Sequence, residues 1–491
     1  NDVGHNAEEV VGAWPLLVLS EYGDPRYVEM SMESVSVLDF ATTQTPLGHR
    51  HFKSWYFSAT EAVTDGDLGI DNMGNSAFTI LGHMLSWYNR DPKLTSFYRE
   101  WADSWLDDFA RSREQGFTKP ISVRIPAEEY VEGVYHRSYT MPHQFFITGL
   151  LSGDSTYTAR ALSNEDGFYP ALRRRGSSML LRDFASQRHR LLEDARFAAF
   201  RERPTTAFET WFVTGDSAPL ADYYRKKVED YKQGTHYLYT QGQPSTDRLW
   251  GLWDENLFLA YLGGYAAGHR RTSNWPGLAI SYTEAGTDLA SLVLENRTTQ
   301  LALRAYNFEP AREQVEIRVW QLEPGEYRLE NGADANEDGV FDGETEIRSI
   351  AVRRGTRMTV PIPYGQMQLL RLRQVEARPE PALLPDLAIG PDDVSYRQQE
   401  EGGVVHVTVH NIGSRRAGES TLRLLDRRDN AIAQTDLPAL DAPVNLRPSV
   451  VSLRVPLSYE DWQRVHRVAV TPHRSALEIT QENNQLRIGH E

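Results

Sequence analysis

The sequence predicts a multidomain protein that is α first and β afterwards: an array of helical hairpins followed by two β-sandwiches. Three observations predict it. An apolar helical run, a Gly-Asp or Arg-Asp turn and a second helical start recur four times before residue 230. From about residue 276 the helical period gives way to short alternating strands, and a Pro-rich segment then separates two such β regions.

The four units are LLVLSEYGDPRYVEM at 16–30, LSWYNRDPKLTSFYREW at 85–101, FITGLLSGDSTYTARAL at 146–162 and FETWFVTGDSAPLADYY at 208–224. Their aspartates, Asp24, Asp91, Asp154 and Asp216, are spaced by 62 to 67 residues. In each unit one helix ends at Gly or a polar residue, Asp caps the next, and Pro or Ser follows in the first turn. After Asp91 the second helix is amphipathic, with Phe97, Trp101, Trp105, Leu106 and Phe109 on its apolar side. Loops of 25 or more residues between hairpins are long enough to carry function. A fifth helix is expected over WDENLFLAYLGGYAAG at 253–268.

These Leu-x-Gly-Asp-x-x-Tyr hairpins resemble the (α/α) toroids of glycoside hydrolases and polysaccharide lyases. The resemblance covers roughly residues 1–270 and implies a toroid-like helical domain over 1–275. Terpene and lanthionine cyclases share that architecture, so fold alone does not give activity. The chain starts at Asn1 with no charged-then-apolar leader, and it reads as a cut within a longer protein, its helical array N-terminally truncated.

The strands LASLVLENRT, LALRAYNFE, VEIRVWQLE, EIRSIAVRRG and MTVPIPYGQMQLLRLRQV predict a β-sandwich over 276–375, and EARPEPALLP a linker over 376–385. Residues 386–491 resemble the bacterial cell-adhesion-related domain CARDB. The resemblance rests on the Pro-Asp-Leu opening, the V-x-V-x-N-x-G-x-x-x-x-G pattern from Val407 to Gly418, and Glu482-Asn483-Asn484 near the end. It implies an immunoglobulin-like sandwich of a secreted or cell-surface protein.

Composition narrows the chemistry. The 491 residues hold no cysteine, which excludes disulfides, thiolate nucleophiles and cysteine-held metals. Lys+Arg 52 against Asp+Glu 68 leaves a net charge of −16, so no nucleic-acid partner is expected. No apolar run approaches the ~18 residues of a membrane helix, and no Gly-rich phosphate loop calls for a nucleotide cofactor. The expected partner is a polysaccharide substrate or a cell-surface glycan.

One loop has the spacing of a calcium site. GADANEDGVFDGETE sets Asp334, Asn336 and Asp338 at positions one, three and five, the Val340 carbonyl at seven and Asp342 at nine. Position twelve is Thr345, so Glu344 or Glu346 would supply the bidentate carboxylate only after a one-residue shift. A structural Ca2+ is expected, against the alternative of a solvated acidic hairpin.

Three stretches are candidates for catalysis. In GHNAEEVVGAW, His5 and Glu8 share a helix face, with capping by Asn6 and Glu9 as the plain alternative. In GHRHFKSWYF and DGDLGIDNMGNSAF, His49 and His51 lie on one side of an extended segment, Trp55 and Tyr56 follow, and Asp71, Asn72 and Asn75 stand at the next helix. EGVYHRSYTMPHQF packs Tyr135, His136, Arg137, Tyr139 and His143 into nine residues.

A polysaccharide lyase must neutralise a uronate carboxylate, abstract a proton and protonate the leaving oxygen, and this third stretch holds the residue types for it. The leading reading is a secreted lyase-like enzyme acting by β-elimination on an acidic glycan. His136 or Tyr139 would be base or acid, with His51 in the same cleft, and Asn72 and Arg137 would hold the carboxylate. Trp55, Tyr56, Trp250 and Trp253 would stack on sugar rings. An inverting glycoside hydrolase would instead use a carboxylate pair from Glu8, Asp71, Glu128, Asp254 and Glu255. A noncatalytic adhesion or glycan-binding protein, with the helices as scaffold, is the third reading.

Overall fold

A computed structural model of the chain describes residues 14–56, 60–117, 121–132, 140–161, 198–202, 204, 206–240, 260–264, 275–283, 288–399, 402–473 and 477–489. The layout is helices first and antiparallel sheets after. The described residues divide into two compact units. One takes in the chain to Asp166, Ala267–Trp275 and Pro381–Glu491; the other takes in Gly167–Ala266 and Pro276–Glu380. Three hairpins fall in the first unit and one in the second.

In the first unit the helices are α1 (Trp14–Ser20), α2 (Pro25–Val35), α3 (Val37–Ala41), α4 (Ser76–Thr79), α5 (His83–Asn89), α6 (Pro92–Glu114), α7 (Thr140–Ser152) and α8 (Ser155–Ala161). The caps form as the sequence requires. Asp24 accepts from Arg26 N at 2.9 Å, and Asp91 accepts from Lys93 N and Leu94 N at 2.9 and 3.1 Å. Asp154 accepts from Thr156 N at 2.8 Å. Pro25 and Pro92 follow their caps, where a missing N–H costs nothing.

α6 is the backbone of this layer. Trp101 and Trp105 are fully buried on it, and Trp101 packs on Phe145 of α7 with ring centroids 6.4 Å apart. Truncating either tryptophan to alanine would cost about 3–5 kcal/mol.

Short strands run between the hairpins. β1 (Thr42–Gln44) pairs with β2 (Arg50–Phe52), and β3 (Ile70–Asn72), β4 (Ile121–Arg124) and β5 (Glu129–Glu132) make an antiparallel sheet.

The same unit contains the C-terminal sandwich. One sheet places β16 (Gly402–Asn411) between β19 (Ser449–Pro456) on one side and β14 (Leu387–Ala388) and β15 (Val394–Gln399) on the other. The second runs β18 (Ala431–Leu437), β17 (Ser420–Leu425), β20 (Arg467–Pro472), β21 (Gln485–Arg487). Alternating Val405, Val407 and Val409 meet Leu422, Leu424, Val468 and Val470 in its core. The buried Asn411 side chain donates to the Arg415, Leu440 and Asp441 carbonyls at 2.9–3.0 Å and accepts from Asp386 N and Gly413 N, which explains a polar residue in an apolar strand.

This sandwich docks on the first two hairpin turns. Asn483 donates to the Gly23 carbonyl at 3.1 Å, and Tyr88 donates to buried Asp386. Asn89 donates to the Ile412 carbonyl at 3.1 Å while Ser414 donates back to the Asn89 carbonyl at 2.6 Å. His410 reaches Glu29 at 2.6 Å and Asp393 at 3.1 Å. Gly23 has φ +94°, and an added Cβ there would meet Thr480 and Asn483 at 2.9–3.0 Å.

In the second unit α9 (Ala198–Glu202) is short, and the hairpin is α10 (Ala207–Thr214) with α11 (Ala218–Thr240), whose Asp216 accepts from Ala218 N at 3.0 Å. Of the expected fifth helix, Ala260–Leu262 is helical, and the chain then bends at Gly263 with φ +72°. The Leu262 carbonyl accepts from Ala279 N, and the Gly263 carbonyl from Asn296.

The middle sandwich has a five-stranded sheet, β11 (Thr345–Val352), β10 (Gly325–Ala333), β13 (Met367–Ala377), β8 (Gln300–Asn307), β7 (Leu289–Arg297). Its three-stranded partner is β12 (Arg357–Pro361), β9 (Gln314–Val319), β6 (Ile280–Thr283). The Pro-rich segment is not free at its start. β13 runs on to Ala377, Arg378 N donates to the Pro324 carbonyl, and Arg353 pairs with Glu380 at 3.1 Å.

Candidate functional site

The chemistry that the structure gathers lies in the helical layer, where β2, β3, β5 and α6 converge. His49, just before β2, and His51 on β2 both turn toward α6. His51 has no exposed surface. Its Nδ1 lies 3.0 Å from Asp71 Oδ2, on β3, and its Nε2 lies 3.2 Å from Asp108 Oδ2, on α6. Asp71 is held in turn by Asn75 Nδ2 at 2.8 Å and by Phe52 N at 3.2 Å.

His49, about one-fifth exposed, places Nδ1 3.2 Å from Glu128 Oε2 and 3.8 Å from Asp108 Oδ1; its Nε2 lies 3.4 Å from Asp107. Tyr130 donates to Asp108 Oδ1 at 2.9 Å, and Thr45 donates to Glu128 Oε1. His49, His51 and Asp108 each bring a ligand atom within 4.8 Å of the other two.

Burial alone would favour neutral His51, but the carboxylates of Asp108 and Asp71 beside it outweigh burial and raise it to about 9 in the metal-free chain. Burial pushes the Glu128 carboxyl up, against the pull of His49. The buried His83 shows the opposite balance. Desolvation lowers it to about 4, and its Nε2 meets Gln144 Oε1 at 2.6 Å. Two buried histidines of one layer are thus shifted in opposite directions, because one faces carboxylates and the other an amide.

His51, a candidate catalytic residue, lies on the extended segment the sequence predicts. It is sealed there, because the carboxylates of Asp71 and Asp108 draw it inward. Asn72 is buried as well, and its side chain accepts from Gly74 N at 2.7 Å. Trp55 and Tyr56 are half-buried, with the Trp55 ring lying over Gly74, where a Cβ would meet it at 2.8 Å.

His5, Glu8, His136, Arg137, Tyr139, Trp250, Trp253, Asp254 and Glu255 lie outside the described residues. The sequence reading missed Asp107, Asp108 and Tyr130. Its available signal was Asp108 itself, a carboxylate on the helix face that buries Trp101, Trp105 and Ser112.

In the acidic loop, Asp334 is buried and accepts from Arg304 Nε at 2.7 Å and Gly339 N at 3.2 Å. Arg304 also donates to the Glu337 carbonyl and Arg371 to the Gly339 carbonyl. Asn336 and Asp338 bond each other at 3.1 Å, and Asp342 accepts from Ala335 N at 2.8 Å. Val340 is exposed. Glu346 lies 3.7 Å from Arg348 and Glu344 contributes its carbonyl beside Gly332. Of the oxygens that would face a cation, Asp334 Oδ2 thus meets the Arg304 guanidinium.

Among the described residues no helix is long and apolar enough to cross a membrane. Open space in the first unit lies beside the docked sandwich. A groove of about 1040 Å³ is lined by Arg26, Glu29, Lys93 and Arg447 among others, and a second of about 460 Å³ by Arg90, Arg99 and Asp103.

No protein-family model and no curated protein matches the chain. Among solved structures, the β-glucuronidase of Ruminococcus gnavus aligns at 11% identity and TM-score 0.15, over 39% of this chain and 36% of that one. This chain therefore spans about a third of the glucuronidase. Native α-2-macroglobulin from Escherichia coli, spanning domains NIE-MG1, aligns at 8% identity and TM-score 0.12, over 35% of this chain and 88% of that one. At such TM-scores neither alignment carries an argument about fold or activity.

Proposed function

We propose that the protein is a secreted, carbohydrate-active enzyme that cleaves an acidic glycan by lyase-like β-elimination. The observation that carries this reading is the register of the β3–β4–β5 sheet. Asn72 pairs with Ser122, and Ser122 with Val131, so Asn72 lies in line with the strand that leads into the segment bearing His136, Arg137 and Tyr139. That segment joins β5 to α7, and β5 is tied to the buried cluster through the Tyr130 hydroxyl on Asp108. Asn72 and Arg137 would hold the uronate carboxylate, and His136 and Tyr139 would carry proton abstraction and return. The sequence resemblances to toroid enzymes and to the CARDB domain support the glycan class and the export.

The test is incubation of the full chain with a panel of uronate-containing polysaccharides, following absorbance of the conjugated double bond that β-elimination leaves. The expected result is a rise that Tyr139→Phe and His136→Ala each reduce by about 10²–10⁴-fold. New reducing ends without that absorbance would replace elimination by hydrolysis.

A second reading has its own observation. The described carboxylate–histidine cluster is closed, and the open grooves border the docked sandwich, as a scaffold that binds glycan without cutting it would have them. Binding with neither product would establish it.

We propose a structural calcium ion for the 334–346 loop only as a weak competitor of Arg304 for Asp334. Calcium is expected to bind no tighter than about 10⁻⁴ M, and Arg304→Gln to tighten it, as read by calorimetry.

A further inference from the structure

We propose that His49, His51, Asp108 and Glu128 form a structural zinc site inside the helical layer. Four side-chain atoms carry the argument: His49 Nδ1, His51 Nε2, Asp108 Oδ2 and Glu128 Oε2. All four are buried, and none makes a directed hydrogen bond. They are nevertheless close, with His51 Nε2 3.2 Å from Asp108 Oδ2 and His49 Nδ1 3.2 Å from Glu128 Oε2. Buried donors and acceptors that meet without aligned hydrogen bonds are groups that a cation between them would satisfy.

The far end of each side chain is already held. His51 Nδ1 is on Asp71, His49 Nε2 faces Asp107, Asp108 Oδ1 takes the Tyr130 hydroxyl, and Glu128 Oε1 takes the Thr45 hydroxyl. A carboxylate behind each ligating imidazole is the arrangement that fixes tautomer and ring orientation in metal sites. His49, His51 and Asp108 form the tightest group, and Glu128 stands at its edge, where Arg111 Nη1 lies 3.6 Å from Glu128 Oε2.

Charge points the same way. Asp71, Asp108 and Glu128 place three buried carboxylates around two imidazoles, and buried carboxylates are paired or bind metal. Two imidazoles and a carboxylate, the group that His49, His51 and Asp108 make, suit zinc, and Glu128 would close a structural set of four by drawing in from the edge. The donor set comes from four places, the β1–β2 turn, β2, α6 and the β4–β5 turn, so the ion would tie α6 to both strand pairs. The proposal is independent of the lyase reading, since it needs neither substrate nor turnover.

The test uses the full chain purified without added metal. Elemental analysis is expected to find about one zinc per chain after dialysis, removable by a strong chelator with a fall in Tm that zinc restores. Cobalt replacing it should give the intense visible bands of a four-coordinate ion. His49→Gln, at the partly exposed ligand, should lose the metal while keeping native circular dichroism. Asp71→Asn should weaken zinc about 10–100-fold, and Asp334→Asn, in the other unit, should leave zinc content unchanged. A chain that retains no zinc and shows no Tm response to it would overturn the proposal and leave an ion-pair network. So would zinc kept by His49→Gln and lost by Asp334→Asn.

Discussion

The first two hairpin turns and the last two are written alike and used differently. Gly23-Asp24 and Arg90-Asp91 lie under the C-terminal sandwich, whereas an added Cβ at Gly153 or Gly215 would meet nothing within 4 Å. All four satisfy the same local demand, a left-handed residue that ends one helix and an aspartate that starts the next. Among the described residues, only the first pair also meets a partner element. The difference teaches that a repeat can conserve its turn chemistry while some copies become docking points.

The largest effect is expected at Gly23. Alanine there adds backbone strain to a steric conflict with Thr480 and Asn483, a loss of about 2–4 kcal/mol. Hydrogen exchange during urea titration should report it as early opening of β16 and α5 together. Equal losses at Gly153 would break the comparison.

A middle-sized effect is expected from pH. His410, between Glu29 and Asp393, is raised from 6.5 to about 9 because its two carboxylate bonds outweigh burial. Its stabilisation is therefore fully present below pH 6.5 and lost as pH rises through about 9. Asp386 is raised by burial, beside Tyr88, Glu478 and Asn483, from 3.8 to about 8. An acid raised on folding keeps its proton in the native state, so its contribution declines as pH climbs from 3.8 to about 8. Both slopes have the same sign, and docking should weaken from neutral to alkaline pH. In pH-dependent exchange, His410→Gln should flatten the upper part of the profile and Asp386→Asn the lower part. A profile unchanged by both would remove these two groups from the docking account.

The smallest effect belongs to the free turns. Gly153→Ala and Gly215→Ala meet no neighbour and should each cost about 1 kcal/mol, from the left-handed backbone alone. Thermal unfolding of the single variants measures it.

The four hairpins were legible because each writes its cap, turn and apolar face within about 15 contiguous residues. Two strands of the middle sandwich escaped, the short β6 and β10, which lies inside its sheet between β11 and β13. In β10 the pattern explains it. Its inward positions run Tyr327, Leu329 and then Asn331, whose side chain donates to the Pro361 carbonyl, so the apolar alternation stops after two residues.

The β4–β5 strands escaped for a related reason, being four residues each and stabilised by a helix face rather than by their own pattern. At the cluster, His49, His51, Asp71 and Glu128 were singled out separately. Their meeting with Asp108 was not legible, because it depends on which face of α6 turns inward and on a sheet that brings residue 128 back to residue 45.

The bond from Asn483 to the Gly23 carbonyl joins residues 460 apart in the chain. In the order of synthesis, the first two turns emerge well before their cover. At ribosomal speeds of about 5–20 residues per second, they wait roughly 20–90 s for it. The second unit, made during that interval, must complete its own sheets without capturing the Gly23 and Asn89 turns. The polar surface of those turns, built from carbonyls and caps rather than apolar side chains, suits a site that must stay uncovered before it closes.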